Sequence, residues 1–275
     1  MNKATTGNKR YPAAEIIKRY RGVGLFITGT GTDIGKTTIT AALTAAFRQL
    51  GLVVGVCKPI NTGCPVRPDR EGGQATGNDD LIASDATILA RAAGLTNNLD
   101  SLLPVLSPIR YCVPVSPHLA ARMERRKPDW RRVAAALEYW QSRCDILLVE
   151  GAGGWKVPID TAAPFAIGDM AAKIGLPVLI VAGCYVGTIN HTWLTVQAVR
   201  QSRLPIFGIV ANRRPATPDF GTMTSTDSLD KVTGVPLLAT LPDTPFDDKD
   251  GIPSALVQAM LPVARRYWKQ AKRPG

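Results

Sequence analysis

A lysine and a threonine that follow a glycine at the head of a helix suit one kind of chemistry, the handling of phosphate. This chain carries them in Gly29-Thr-Gly-Thr-Asp-Ile-Gly-Lys36-Thr37, between an apolar run and a helical pattern. Successive backbone N–H groups of Gly31, Thr32, Asp33, Ile34 and Gly35 can point at a polyphosphate there, helped by the positive end of the helix dipole. Lys36 would neutralise the outer phosphates, and the Thr37 hydroxyl would ligate Mg²⁺. The strict four-residue gap between glycines is not met, because Thr30 occupies the earlier slot. The loop reads as Gly29, five residues, then Gly-Lys-Thr.

Further candidates stand where other apolar runs end. Lys58-Pro-Ile-Asn-Thr62-Gly63 closes the second run. An unpaired ammonium is costly to bury, so Lys58 makes sense beside a bound anion, with Thr62 offering its hydroxyl to the same space. Glu150-Gly151-Ala-Gly153-Gly154 follows the third run. Its carboxylate can hold Mg²⁺ directly or through water, and its glycines let the backbone approach a substrate. Asn212 ends a later run and has the donor and acceptor that an adenine edge requires. Asp85, in Ser84-Asp85-Ala86, can complete a metal shell with Thr37 and Glu150; Asp79 and Asp80 compete with it, and spacing does not choose among them. Gly187-Thr188-Ile189-Asn190 opens a helix whose backbone donors suit a carboxylate. His118 and His191, the second following Asn190, are the only histidines, and each reads as a packed or capping residue.

These groups can meet only if strand ends bring them together. The chain alternates short β-rich apolar runs (Val23–Thr28, Leu52–Cys57, Asp145–Val149, Pro177–Ala182, Ile206–Ala211, Val235–Ala239) with longer helical patterns such as Lys36–Leu50, Ser84–Ala93, Trp130–Arg143, Phe165–Ile174, Asn190–Ser202 and Pro253–Lys269. Near-continuous Val/Ile/Leu strands separated by helices predict an α/β fold, a doubly wound, mainly parallel sheet in one P-loop NTPase-like domain. In such a sheet ligands collect beyond the carboxyl ends of the strands.

Composition narrows the class. Of 275 residues 45% are hydrophobic, which excludes a disordered or fibrous chain. The longest apolar run, Pro177–Val186, is about half the ~20 residues that span a bilayer. No apolar stretch follows Lys3, Lys9 and Arg10 as a secretory leader requires, so the cytoplasm is the expected compartment. The net charge of +11 sits at the ends: residues 1–22 carry +5 and residues 264–275 carry +5, leaving +1 between them. Both ends read as solvated segments, and an inner basic cluster, Arg122 to Arg132, reads as decoration on exposed helices. Without aromatic interleaving, nucleic acid is not expected as a partner. Five scattered cysteines predict neither disulfides nor zinc.

Taken in order, the motifs resemble dethiobiotin synthetase, an ATP-dependent family of biotin synthesis. The resemblance covers about residues 23–245. It rests on the extended P-loop, Lys58-Pro-Ile-Asn-Thr-Gly, Ser116-Pro-His118, Glu150-Gly-Ala-Gly-Gly, Gly187-Thr-Ile-Asn-His191 and Val210-Ala-Asn212. Asp33 stands where better-known members have a longer Glu. The polar insertion Pro65–Asn78 and the loosely similar Leu241-Pro-Asp243 are further departures.

What the resemblance implies is specific. Lys36 and Lys58 would be catalytic, the first on the transferred phosphoryl group and the second, with Thr62, on a substrate carbamate. Thr37, Asp85 and Glu150 would surround Mg²⁺, Asn212 would meet adenine, and the strand-end glycines Gly151, Gly153 and Gly154 would face the substrate. The family is homodimeric, with Gly187, Thr188, Ile189 and Asn190 receiving the substrate carboxylate across the interface. The substrates would be 7,8-diaminononanoate, CO₂ and ATP, closed to a cyclic urea. Residues 23–270 would form the synthetase domain, with 1–22 a basic extension and 271–275 a tail; deletion of residues 1–20 is expected to spare turnover.

Two other classes use a similar loop. A switch or partition ATPase often has a second lysine early in the loop, and Thr28–Thr32 has none. A cofactor-amidating synthetase usually brings a glutaminase domain with a catalytic cysteine, for which there is no room.

Overall fold

The runs Gly24–Gly29 and Val178–Gly183 are buried along their whole length, so only a position inside a parallel sheet covered on both faces satisfies them. The computed structural model describes residues 15–68, 77–160, 165–244 and 251–272. Its strands in chain order are β1 (Gly24–Gly29), β2 (Val54–Cys57), β3 (Ile60–Asn61), β4 (Ile109–Arg110), β5 (Ile146–Gly154), β6 (Pro158–Asp160), β7 (Phe165–Ala166), β8 (Val178–Gly183), β9 (Ile206–Arg214) and β10 (Leu237–Pro242). Six of them form one sheet in the order β10-β9-β8-β1-β5-β2, all neighbours parallel. β3 pairs with β4, and β6 with β7, in two-stranded ribbons. The core lies on both faces of the sheet: Leu25, Phe26 and Ile27 of β1 and Leu147, Leu148 and Val149 of β5 have no exposed surface.

Strand order reverses at β1, which pairs with β5 on one side and β8 on the other. This is the switch point beside which the crevice of a doubly wound sheet opens. The phosphate loop leaves β1 there and enters the Lys36–Gln49 helix. Where β1 meets β5 the register slips: Ile27 faces Glu150, yet Gly29 faces Gly154. β5 therefore carries a bulge over Gly151-Ala-Gly153, and Gly153 takes φ 64° within it.

Several expected boundaries move. β5 runs through Glu150 to Gly154, because the glycines keep pairing with β1 where a loop was expected. Phe165 and Ala166 pair with β6 before the helix starts at Ile167. The Leu99–Leu106 helix has Pro104 inside, which hid it in the sequence pattern. Among the described residues no helix is long and apolar enough to cross a membrane, and none of the five cysteines is in a disulfide.

The arm read as solvated is described from residue 15, and there it is packed. Ile17 and Tyr20 are buried, Tyr20 N donates to Ile174 O at 2.9 Å, and its hydroxyl donates to Trp140 O at 3.3 Å. The rest of the arm lies outside the described residues. At the other end the closing helix runs to Ala271, with Ala264 and Tyr267 buried and Arg265 and Arg266 exposed. Truncation to residue 22 is therefore expected to lower stability, since losing one large buried side chain costs about 2–5 kcal/mol. Thermal unfolding reads it: a Tm equal to that of the full chain would show that Ile17 and Tyr20 contribute nothing.

Candidate active site

At Gly35 the phosphate loop becomes a helix. The residue has φ 87°, in the left-handed region, and a Cβ there would run into the Asn212 side-chain amide. Asn212, buried in β9, donates Nδ2 to Ile34 O at 3.0 Å. Ile34 is itself buried, so the loop is anchored by an apolar side chain below and an amide alongside. One amide proton of Asn212 is thus committed to the loop.

On that scaffold four separate stretches of chain converge. Thr37 Oγ1 donates to Glu150 Oε1 at 2.8 Å. Lys58 Nζ lies 3.0 Å from the same oxygen and also hydrogen-bonds Asp85 Oδ2. Lys36 Nζ donates to Gly31 O at 2.8 Å. Lys58, Asp85 and Thr62 line the same cleft of about 350 Å³ as Thr32, Asp33, Gly35, Lys36, Thr37 and Gly153.

Burial governs the charges here. Glu150 has no exposed surface and sits between a cation and a hydroxyl. Desolvation alone would pull the Lys58 proton off. Attraction from Glu150 and Asp85 outweighs it, and the ammonium is held above the ordinary lysine range. Lys36 goes the other way. Burial draws its pKa down to about 8, against the pull of Glu150 and with Lys58 repelling it.

The residues fit a hard cation borne by phosphate. Glu150 Oε2 is buried without a hydrogen-bond partner, an arrangement that costs free energy unless something binds there. The nearby donors, Thr37, Asp85 and Glu150, are all oxygens, as Mg²⁺ prefers. No cluster of three or more His, Cys, Asp or Glu that could hold a metal occurs among the described residues. An ion here must therefore complete its shell with phosphate oxygens and water, which is the habit of Mg²⁺.

The competing acids are directed elsewhere. Asp79 is gripped by Arg132 at 2.9 and 3.1 Å and by Arg110 Nη2 at 3.1 Å. Hydrogen bonding from Arg132, chiefly, holds its carboxyl at about 2. Asp80 caps its own turn by accepting from Gly77 N at 3.1 Å. Arg110, 1% exposed, also donates to Asn78, Leu103 and Ser107 carbonyls, clamping the segment that leads to Asp85. The inner basic cluster is thus not all decoration: Arg132 holds Asp79, while Arg126 pairs with Glu124 and donates to Arg110 O.

The Gly187–Asn190 turn does not line this cleft. Gly187, at φ 104°, starts the Thr188–Gln201 helix. Thr188 is wholly buried and spends its hydroxyl on Gly183 O at 2.6 Å and its N–H on Tyr185 O at 3.1 Å, a structural role the sequence did not reveal. Beside the phosphate loop a second groove of about 450 Å³ is lined by Thr32, Gly154, Trp155, Val157, His191 and Leu194. Sequence reasoning missed Arg213 and Asn61, which line the cleft. Asn61 lies inside the Lys58–Gly63 motif and Arg213 directly follows Asn212, so the strand-end rule would have found both.

Parallel strands, a switch point at β1 and a glycine-led lysine and threonine at the head of the next helix define a P-loop NTPase-like protein. The AAA domain family model matches residues 23–246. The chain is 35% identical over 235 residues to the ATP-dependent dethiobiotin synthetase BioD of Thermodesulfovibrio yellowstonii, covering 83% of this chain and 92% of that one. To the same-named protein of Anaeromyxobacter dehalogenans it is 37% identical over 222 residues, covering 81% and 91%. The chain belongs to the dethiobiotin synthetase family. Among solved structures it resembles the MinD cell-division protein of Aquifex aeolicus in its MinC complex (TM-score 0.54, 16% identity, 92% of this chain and 99% of that one). It also resembles Pyrococcus horikoshii MinD complexed with Mg-ADP (TM-score 0.51, 18% identity, 91% and 97%). At those identities the likeness is one of fold.

Proposed function

We propose that this chain closes a cyclic urea on 7,8-diaminononanoate with CO₂ and ATP, giving dethiobiotin, ADP and phosphate. The observation that carries the reading is Lys58: a buried ammonium at the end of β2, paired with Glu150 and Asp85 and sharing Glu150 with Thr37 of the phosphate loop. Fold alone does not supply this, and a partition ATPase does not need it.

The chemistry follows from the charges. One substrate amine combines with CO₂, losing a proton, to give a carbamate anion that Lys58 and Thr62 hold. A carbamate oxygen attacks the γ-phosphorus in line, and the bond to the β-phosphate oxygen breaks to release ADP. Lys36 leaves Gly31 O for the phosphoryl oxygens and offsets their developing charge. The second amine then attacks the carbonyl carbon of the mixed anhydride, expelling phosphate and closing the ring. Mg²⁺ held near Thr37, Asp85 and Glu150 would supply charge neutralisation at the phosphates. No covalent protein nucleophile is needed; positioning is the protein's main contribution. Asn212 Oδ1 and its second amide proton remain for an adenine edge.

We propose further that the enzyme is a homodimer working in the cytoplasm. Val186 is 70% exposed, Leu194 59% and Phe220 78%, an apolar surface beside Gly187 that a second copy would cover. In that arrangement Gly187, Ile189 and Asn190 receive the substrate carboxylate of the other subunit. The groove along Trp155, Val157 and Leu194 suits the substrate's apolar chain.

Incubation with the diamino acid, bicarbonate, Mg²⁺ and ATP should yield the cyclic urea, detected by mass, in step with phosphate release. ATP hydrolysis without cyclic urea would overturn the reading. A second expectation concerns protons. With Lys36 at about 8 before binding, nucleotide phosphates beside it favour the ammonium, so ATP binding should take up a proton and weaken as pH rises above about 8. Calorimetry at pH 8.5 in buffers of different ionisation enthalpy reads the uptake; none at that pH would contradict the burial of Lys36.

A further inference from the structure

Arg110 is 1% exposed and does not line the cleft, yet its guanidinium spends its protons on segments that the cleft depends on. Nη1 donates to Leu103 O at 3.2 Å and to Ser107 O at 2.7 Å, at the end of the Leu99–Leu106 helix. The same helix end accepts from Lys58 N at 2.7 Å through Leu106 O. Nε donates to Asn78 O at 3.0 Å, and Arg110 N donates to the Asn78 side-chain oxygen at 2.6 Å. Asn78 opens the short turn from which the chain runs on to Asp85. Nη2 donates to Asp79 at 3.1 Å. In the β3–β4 ribbon Arg110 also pairs with Asn61, which follows Lys58-Pro-Ile and lines the cleft.

We propose that Arg110 is a positioning residue for ring closure: by joining the helix end bonded to Lys58 N to the turn ahead of Asp85, it sets the Lys58–Asp85 pair and with it the place where the carbamate is held. The inference rests on the assignment of Lys58 to the carbamate. Lys58 and Asp85 are 27 residues apart in the chain, so contacts between segments must fix their meeting. A buried guanidinium is costly unless its donors are met, and an apolar side chain would fill the space without that cost. What the guanidinium adds is geometry: its donors lie in one fixed plane and hold several segments at once, which an ammonium on a flexible stem does not do. The phosphate loop is anchored elsewhere, by Asn212 and by the buried Ile34. Loosening Arg110 therefore displaces Lys58 and Asp85 and leaves the phosphate cradle in place.

The test compares the full chain with Arg110→Lys and with Asp79→Ala, the second altering an exposed carboxylate outside the cleft. Each is assayed at a temperature where circular dichroism shows it fully folded. Arg110→Lys should lose kcat for ring closure by about 10-fold or more, the scale of a sub-ångström misplacement. Its ADP affinity and KM for ATP should stay within about 3-fold of the parent, the mark of an effect on the chemical step alone. Asp79→Ala should lose kcat by about 3-fold, because Nε and Nη1 keep their carbonyls. A second readout needs no turnover. Acetylation of Lys58 by acetic anhydride, read by mass against the exposed Lys231, should quicken in Arg110→Lys, since an ammonium that has lost Asp85 gives up its proton more readily. A merely structural arginine would lower Tm and move neither the kcat of the folded enzyme nor this ratio. Unchanged kcat or an unchanged acetylation ratio in folded Arg110→Lys overturns the proposal; if that variant does not fold, parent-like kcat in Asp79→Ala does so. An equal loss of ADP affinity and kcat also overturns it, because the damage then reaches the phosphate loop. Absence of cyclic urea from the parent chain would instead refute the carbamate reading, and the acetylation ratio would still decide whether Arg110 sets the Lys58–Asp85 pair.

Discussion

Lys58→Met is expected to abolish ring closure, by on the order of 10³-fold or more, while ADP binds within a few-fold of the parent chain. The reason lies in what Lys58 touches. Its ammonium reaches Glu150 and Asp85, whereas its contact with the phosphate loop runs only through Glu150, to which Thr37 donates. Removing it deprives the carbamate of its cation and leaves the phosphate cradle standing. The change also strips Glu150, which has no exposed surface, of its counter-charge. Breaking a buried ion pair from one side costs about 3–5 kcal/mol, so the variant should melt well below the parent. Lys58→Met/Glu150→Gln separates the two effects: stability should return in part, because no unpaired charge stays buried, and ring closure should not. Near-normal dethiobiotin formation by Lys58→Met would sink the assignment.

Gly35→Ala is expected to cost nucleotide binding on the order of 10²-fold, the scale of a small misplacement of a catalytic loop. Two independent obstacles meet there. A φ of 87° strains any residue with a Cβ, and the new methyl would occupy the place of the Asn212 amide. Displacing that amide breaks its bond to Ile34 O and loosens the loop from β9. Adding Asn212→Ala removes the collision but not the strain, so the double variant should recover only part of the loss. ADP titration measures both, and Gly35→Ala binding ADP as the parent does would show that the loop tolerates another conformation.

The likeness to MinD structures and the family membership answer different questions. The first is a likeness of fold, and the second rests on 35–37% identity over most of the chain. In this chain Lys58 and Glu150 stand at neighbouring strand ends, Asp85 opens a helix beside them, and Thr28–Thr32 has no lysine. A fold of this kind serves several functions, so the fold by itself does not choose among them.

By itself the sequence determined the fold class, the phosphate loop and the strand-end motifs. Those signals are local: an apolar run next to a helical pattern, a glycine before Lys36, a lysine where a buried strand stops. It left Asp79, Asp80 and Asp85 as rivals, because a metal shell is a matter of distance in space and their spacing in number is uninformative. Tertiary structure gives each its neighbours: Arg110 and Arg132 hold Asp79, Asp80 accepts from Gly77 N, and Lys58 meets Asp85. It likewise showed Ile17 and Tyr20 packed within a basic arm, and Arg213 facing the cleft. Tyr20 meets Trp140 and the Asn212–Arg213 strand end meets the phosphate loop, neighbours more than a hundred residues away that no pattern along the chain encodes.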